Sequence, residues 1–325
     1  MAPQLANNRL AGASVICGAV AIASTLDALT KYLSQGYPVH EVMVIRCLVG
    51  VPFFFAMVAY QESMGELIPS RFGLVIVRGI ILASANLSFY LALAAIPIAD
   101  VVAIYFTMPF FVAALVAPIL GEQVRFYRWI AIAAGFVGVM IMIRPGAGVF
   151  EPAALFALWS AFGYGTGQAM ARPLSGVVPS SVIAFHQNLL YLALAAVLAL
   201  IFGWGTFAYD SHASLKFLTS GWVIPHRSDF WLMVVFGVMS AAAMPLFVSA
   251  YKLAEASFIA PFEYTAMFWA VLWGVVLFGD FPDRWTWIGA GVVIGAGLFM
   301  MHMDRVYRPR GRALPLRRSG TGWLR

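Results

Sequence analysis

The sequence predicts an all-α integral membrane protein of ten transmembrane helices, built as two inverted five-helix repeats. Three observations carry that expectation: an apolar composition, ten separate runs long enough to cross a bilayer, and a self-similarity between the two halves of the chain.

Of the 325 residues, 62% are hydrophobic and 10% charged, whereas a soluble domain carries about 25% charged residues. Water is therefore not the main solvent of this chain. The formal net charge of +6 does not imply a nucleic-acid partner, because seven of the twenty basic residues are arginines after Met303. A basic segment beside a membrane span is drawn to anionic lipid headgroups, so residues 304–325 read as a basic cytoplasmic tail on the bilayer surface. Cys17 and Cys47 both lie inside apolar runs, and no structural disulfide is expected. Ile16 stands where a lipoprotein cleavage site needs a small residue.

A helix needs roughly 20 apolar residues to cross about 30 Å of hydrocarbon. The runs that qualify are Leu10–Leu33, Val39–Tyr60, Phe72–Ile96, Ile98–Leu120 and Trp129–Ile143 in the first half. In the second they are Ala153–Ala171, Val182–Phe202, Phe230–Tyr251, Ser257–Phe278 and Trp285–Met303. Strands of an outer-membrane barrel alternate over about ten residues, which these runs do not. The first could imitate a signal peptide, but Asp27 and Lys31 have polar counterparts in the second half, so it reads as a retained helix. Pro97 alone separates the third run from the fourth and demands a tight antiparallel hairpin. The stretch 203–229 mixes Trp204, Phe207, Tyr209 and Trp222 with polar residues, as in a segment lying at the interface or a loop without regular structure.

Orientation follows from basic residues. With both termini cytoplasmic, the inner side holds Arg9, Arg71, Arg125, Arg128, Arg172, Lys252 and the seven tail arginines. The outer side holds Lys31, Arg144, Lys216, Arg227 and Arg284, so the tail decides for both termini inside.

The two halves align without gaps. An offset of 158 pairs Thr107 with Thr265, Phe110 with Phe268, Gly121-Glu122 with Gly279-Asp280, and Trp129-Ile130 with Trp287-Ile288. An offset of 141 pairs Ala28 with Ala169, Lys31 with Arg172, Ser34 with Ser175 and Pro38 with Pro179. The units run over residues 10–143 and 153–303, the second carrying the 203–229 insertion. Five helices per unit is an odd number, so the second unit enters the membrane from the opposite side. Such inverted repeats are found in many secondary transporters, with the solute site near the midplane between them.

Five plus five helices, the acidic turns Gly121-Glu122 and Gly279-Asp280, and Arg46 in the second helix resemble the EamA-like branch of the drug/metabolite transporter superfamily. Ala260-Pro261-Phe262-Glu263-Tyr264 is similar to bacterial members near the riboflavin and S-adenosylmethionine carriers. The resemblance implies a small-molecule solute, no cofactor, the bacterial cytoplasmic membrane, and a pathway lined by helices one, three, four, six, eight and nine.

Ionisable residues within spans are costly and point to function. Arg46 lies about 10 Å from the outer end of its run at 1.5 Å per residue, and its counterpart is Gln187, beside His186. Asp27 pairs with Gln168, and Tyr105 with Glu263. Asp27, Lys31, Arg46 and Tyr105 thus fall in the outer half, and Gln168, Arg172, His186, Gln187 and Glu263 in the inner half. They are candidates for gating and coupling, except Tyr105 and Gln168, which are candidates for binding the solute. The competing readings are snorkelling of Arg46 to headgroups and a local pair between Asp27 and Lys31 at i, i+4. Arg78, Lys252 and Glu255 read as interfacial. Glu263 is the candidate proton carrier, with His186 as the cation that could hold it ionised, against a structural hydrogen bond. Asn86 stands near the midplane, either binding solute or joining helices. Tyr90, Tyr105, Phe106, Trp159, Tyr164, Tyr264 and Trp269 could stack on a planar solute or simply pack.

The alternating glycines of Gly163-Tyr164-Gly165-Thr166-Gly167 predict a flexible or unwound stretch, with close packing as the alternative. Gly291-xxx-Gly295 reads instead as a packing face, or as the face of a homodimer. His40-Glu41 begins a zinc-protease pattern, but Val44 occupies the second histidine position. Neither a dinucleotide fingerprint nor a nucleotide-binding loop is present, so an enzyme, a metal site and direct ATP drive are not expected. An embedded enzyme and a passive channel are the rival classes.

Overall fold

The computed structural model describes residues 9–61, 67–120, 125–144, 151–174, 176–254 and 256–307. In chain order these form α1 (Arg9–Leu33), α2 (Val39–Gln61), α3 (Phe72–Ala95), α4 (Ile98–Tyr105), α5 (Met108–Leu120), α6 (Phe126–Ile143), α7 (Ala153–Leu174) and α8 (Ser180–Phe202). There follow α9 (Ala213–Thr219), α10 (Arg227–Leu253), α11 (Ala256–Glu263), α12 (Thr265–Trp273) with a π-helical turn at Gly274–Phe278, and α13 (Arg284–Val306). No strand occurs among the described residues. The turn Gly121-Glu122, Glu255, the Arg172 and Lys252 side chains and the tail from 308 onward lie outside the described residues.

Nine stretches among the described residues are long and apolar enough to cross a membrane. The tenth apolar run, α7, has 22 residues, about 33 Å at 1.5 Å per residue. Its Gly-Tyr-Gly-Thr-Gly-Gln segment lowers its hydropathy. Proline marks three of the turns, because it cannot donate to the preceding helical ladder: Pro38 before α2, Pro97 before α4 and Pro179 before α8. Gly279 closes the π turn with φ +71, a left-handed conformation in which glycine has no Cβ to clash.

Two of the runs expected to be continuous are broken. The fourth splits at Phe106-Thr107 into α4 and α5, and the ninth at Tyr264 into α11 and α12. The breaks fall at equivalent positions under the 158 offset. Pro109 supplies part of the cause in the first half, since a helix running through it would lose the bond to residue 105. The glycines of α7 behave otherwise. The helix is continuous there, and a Cβ on Gly163, Gly165 or Gly167 would come within 2.7 Å of Ala85, 2.8 Å of Phe111 or 2.6 Å of Leu82. Close packing of α7 on α3 and α5, not unwinding, is the reason for these glycines.

Several of the main helix pairs recur when the two halves are exchanged. α3 packs on α7 as α10 packs on α1; α3 packs on α8 as α10 packs on α2; α4 and α5 lie against α7 as α11 and α12 lie against α1. The pairs α2–α8 and α6–α13 map onto themselves. In the α6–α13 pair, a Cβ on Gly138 would come within 2.8 Å of the Gly289 carbonyl, so the two helices touch backbone to backbone. Gly291 and Gly295 face away from the bundle, with nothing within 4 Å of an added Cβ.

The segment between α8 and α10 is a folded cap over one end of the bundle. Phe217 on α9 is 1% exposed, and the Ser214 hydroxyl donates to the Leu91 carbonyl at 2.7 Å. The Val223 amide donates to Glu41 at 3.0 Å, the Tyr37 hydroxyl donates to Asp229 at 2.6 Å, and His212 pairs with Glu151 at 2.6 Å. Trp204, Phe207 and Tyr209 remain exposed on it.

Candidate functional site

The centre of the bundle is built around Arg46. Two turns into α2 from the capped end the helix packs between α8 and α10, and this carries Arg46 inward, leaving it 8% exposed. Its guanidinium donates to the Tyr90 hydroxyl at 2.6 Å and to Asn86 Oδ1 at 3.4 Å. Three rings surround it, Tyr90 and Phe236 at 5.4 Å and Tyr191 at 5.6 Å from their centroids. Cation–π contacts of this kind stabilise a desolvated cation by about 0.5–2 kcal/mol each. No carboxylate pairs with Arg46 among the described residues. Snorkelling to headgroups is therefore not what Arg46 does; it is turned into the bundle.

Asn86 joins this charge to the aromatic side chains of α4 and α7, its amide donating to the Tyr164 hydroxyl at 3.1 Å. Tyr164 in turn meets the ring of Tyr105 edge to face at 5.5 Å. Beyond it, Gln187 donates to the Tyr191 hydroxyl at 2.8 Å and accepts from Arg78 at 3.2 Å. Arg78 also donates to the Gly167 carbonyl at 2.9 Å, so it works inside the bundle and not at the interface. Asp27 on α1 is half-buried. Arg46, Asn86, Tyr90, Tyr105 and Tyr164 are thus brought together.

Other sequence candidates lie elsewhere. Lys31 does not pair with Asp27; it reaches across the bundle to Asp280 at 3.0 Å and donates to the Ile96 carbonyl at 2.8 Å. His186 is not the partner of Glu263. Its ring packs on Phe72 and Phe185 and its Nδ1 lies 2.9 Å from the Val182 carbonyl, while Glu263 accepts a hydrogen bond from Tyr251. Trp159 is 51% exposed beside Phe162. Five residues from Tyr164, it lies about 140° away around α7 and so faces off the polar centre. Gln168, one turn beyond Tyr164, is exposed. Tyr264 sits at the break before α12, its ring edge to face with Phe106 at 4.9 Å.

Three residues of the site escaped sequence reasoning. Tyr191 and Phe236 complete the ring box, and Asp280 holds Lys31. Tyr191 stands four residues after Gln187 and hence on the same helical face, a signal that was available. Phe236 carried none. At the capped end, Arg144 pairs with Asp283 at 2.6 Å, and Thr286 donates to Asp100 at 2.7 Å. With Lys31–Asp280, these contacts latch the first half of the chain to the second. Among the described residues no group of three or more His, Cys, Asp or Glu side chains could hold a metal ion.

Apolar helices wrapped around a buried polar and aromatic centre define a multi-pass membrane transporter. The chain belongs to the EamA-like transporter family. That family's model matches residues 10–144. A riboflavin transporter of Rhizobium johnstonii is 30% identical over 282 residues, covering 86% of this chain and 87% of the relative. An S-adenosylmethionine uptake transporter of Rickettsia prowazekii is 23% identical over 279 residues, covering 86% of this chain and 88% of the relative. A solved crystal structure, 19% identical, shares the fold with a TM-score of 0.61 over 92% of this chain and 99% of its own.

Proposed function

We propose that the protein is a secondary transporter that moves a small amphipathic or aromatic metabolite across the bacterial cytoplasmic membrane by alternating access. The single observation that carries this reading is the polar cluster of Arg46, Asn86 and Tyr164, held among aromatic rings in the bundle interior. The ten-helix reading counts α7 as a span, with α4–α5 and α11–α12 as one span each. The breaks at Phe106-Thr107 and Tyr264, together with the main helix pairs that recur on exchange of the halves, support two inverted repeats. With both termini cytoplasmic, the α9 cap and the latch of Lys31–Asp280, Arg144–Asp283 and Asp100–Thr286 form the outer gate in its closed state.

The relatives named for riboflavin and S-adenosylmethionine handle solutes with fused planar rings, which suits Tyr105 and Tyr164 as stacking surfaces here. Glu263, hydrogen-bonded to Tyr251 on α10, is the group whose protonation couples solute to proton movement. The full chain reconstituted in liposomes tests the reading with a mixed metabolite pool. Saturable uptake of a solute is expected, and a flux that rises without saturation, chemical conversion, or no movement would overturn it. Glu263→Gln is expected to abolish the response to an imposed pH gradient, and an unchanged response refutes the coupling role.

A further inference from the structure

Two arginines address the centre of the bundle by the same device. Arg46 donates to the Asn86 carboxamide oxygen at 3.4 Å, and the Asn86 amide donates to the Tyr164 hydroxyl at 3.1 Å. Arg78 donates to the Gln187 carboxamide oxygen at 3.2 Å, and the Gln187 amide donates to the Tyr191 hydroxyl at 2.8 Å. Gln187 is the counterpart of Arg46 under the 141 offset, so the second chain of bonds is not a copy of the first. Here the arginine stands on α3 and the carboxamide on α8.

The direction of each chain follows from the donors. A guanidinium has only N–H groups to offer and stays protonated. The carboxamide atom facing it must therefore be the oxygen, which points the NH2 end onward. While Arg78 is in place Gln187 cannot turn over, and Tyr191 accepts from it. A phenol that accepts through its oxygen still holds its own proton. Arg46 also donates to the Tyr90 hydroxyl at 2.6 Å, so Tyr90, Tyr164 and Tyr191 all accept on the protein side. Among the described residues, the protons of Tyr164 and Tyr191 have no acceptor beyond each other's hydroxyl. An exchange between the two uses one proton and leaves the other.

We infer that Arg78 is a positioning residue for transport. It does not touch the solute. By fixing the polarity of Arg78–Gln187–Tyr191 it leaves a phenolic proton free to donate to an acceptor atom of the solute. A second bond, to the Gly167 carbonyl at 2.9 Å, holds the guanidinium against α7 while its NH1 serves Gln187. This role rests on the transport reading above and extends the site beyond the ring box around Arg46.

Gln187→Glu separates polarity from structure. A carboxylate accepts at both oxygens, so it retains the bond from Arg78 but makes Tyr191 donate toward it, reversing the chain. The first readout is the tyrosine Raman doublet, whose intensity ratio distinguishes a phenol that donates from one that accepts. The Tyr191 signal is the difference between each protein and the same protein carrying Tyr191→Phe. It should shift from acceptor toward donor in Gln187→Glu, and no shift overturns the inference. The second readout is saturable uptake from the mixed metabolite pool by the full chain in liposomes. Gln187→Glu and Tyr191→Phe should each raise the half-saturating concentration about fivefold, the scale of one neutral hydrogen bond. Maximal rate and melting temperature should hold, and the double variant should be no worse than Tyr191→Phe alone. Arg78→Gln should raise the half-saturating concentration likewise, and Arg78→Lys, which still donates to Gln187, should recover most of the loss. A purely structural Arg78 predicts that Gln187→Glu, ion-paired to it, transports as the wild type does. That result, or additive losses in the double variant, overturns the role of Arg78 and leaves transport standing. If nothing in the pool moves saturably, the transport reading falls and the role of Arg78 with it.

Discussion

The rings of Phe106 and Tyr264 meet edge to face, centroids 4.9 Å apart, and each sits at the break of its own helix. They are also equivalent residues under the 158 offset that relates the two halves. In the proposed inverted repeat a contact between equivalent residues lies on the axis relating the halves, and α2 and α8 provide a second such contact. There the Asn188 amide donates to the carbonyl of Cys47, its counterpart under the 141 offset, at 3.1 Å. Both crossings place irregular or polar structure at the centre of the bundle. That is where a carrier must let its halves move past one another.

Tyr264 depends on an open space opposite it. A Cβ on Gly297 of α13 would lie 1.9 Å from the Tyr264 hydroxyl. Gly297→Ala is therefore expected to destabilise the protein by about 1–3 kcal/mol, the usual cost of overpacking, and to slow uptake. Tyr264→Phe in the same chain removes the clashing oxygen and should recover most of the loss. Thermal unfolding in detergent and liposome uptake read both effects.

Lys31 and Asp280 latch the two halves at the capped end. If the latch opens during each cycle, replacing both residues by cysteine and bridging them with a short bifunctional thiol reagent should arrest uptake. A cleavable reagent should restore it on reduction. The singly substituted chains, treated alike, should keep working, and continued uptake by the bridged protein would refute a moving latch.

Asp283 caps α13 and lies just outside its span. Burial works against its ionised form, but the hydrogen bond from the Thr286 amide, with Arg144 beside it, outweighs that and holds its pKa below the ordinary 3.8. A folded-state value below the unfolded one stabilises the protein at neutral pH, and that contribution disappears as pH falls through the folded value. Asp283→Ala should cost about 0.5–2 kcal/mol at neutral pH, as for other lost N-caps. The difference between variant and wild type should shrink once the pH drops below 3.8, which melting curves across that range would reveal.

The cap over α3 is anchored by Phe217. Phe217→Ala should cost about 3–5 kcal/mol of local packing. Because the cap is attached at few points, the loss is expected to appear as faster amide hydrogen exchange over residues 203–226, with α6 and α13 unchanged. Uniformly faster exchange would mean that the cap is part of the global folding unit.

Much of this protein was determined by its sequence alone. Apolar runs and proline-marked turns reveal a helical membrane bundle. This works because lipid forces every backbone polar group into an internal hydrogen bond, so helix length and hydropathy are written locally. The inward set Arg46, Asn86, Tyr90, Tyr105 and Tyr164 was legible for the same reason, since polar groups in spans have few places to go. What the tertiary structure decided is which of them meet. Asp27 and Lys31 have ideal spacing for a pair, yet Asp280 from the other half competes successfully for the lysine. His186 and Glu263 share a depth but not a neighbour. Trp159 and Tyr164 share a helix but face different ways. Phe236 reaches Arg46 only because α10 crosses α2. Depth along a helix can be read from sequence position; rotation about its axis and the choice of partner depend on packing between segments far apart in the chain.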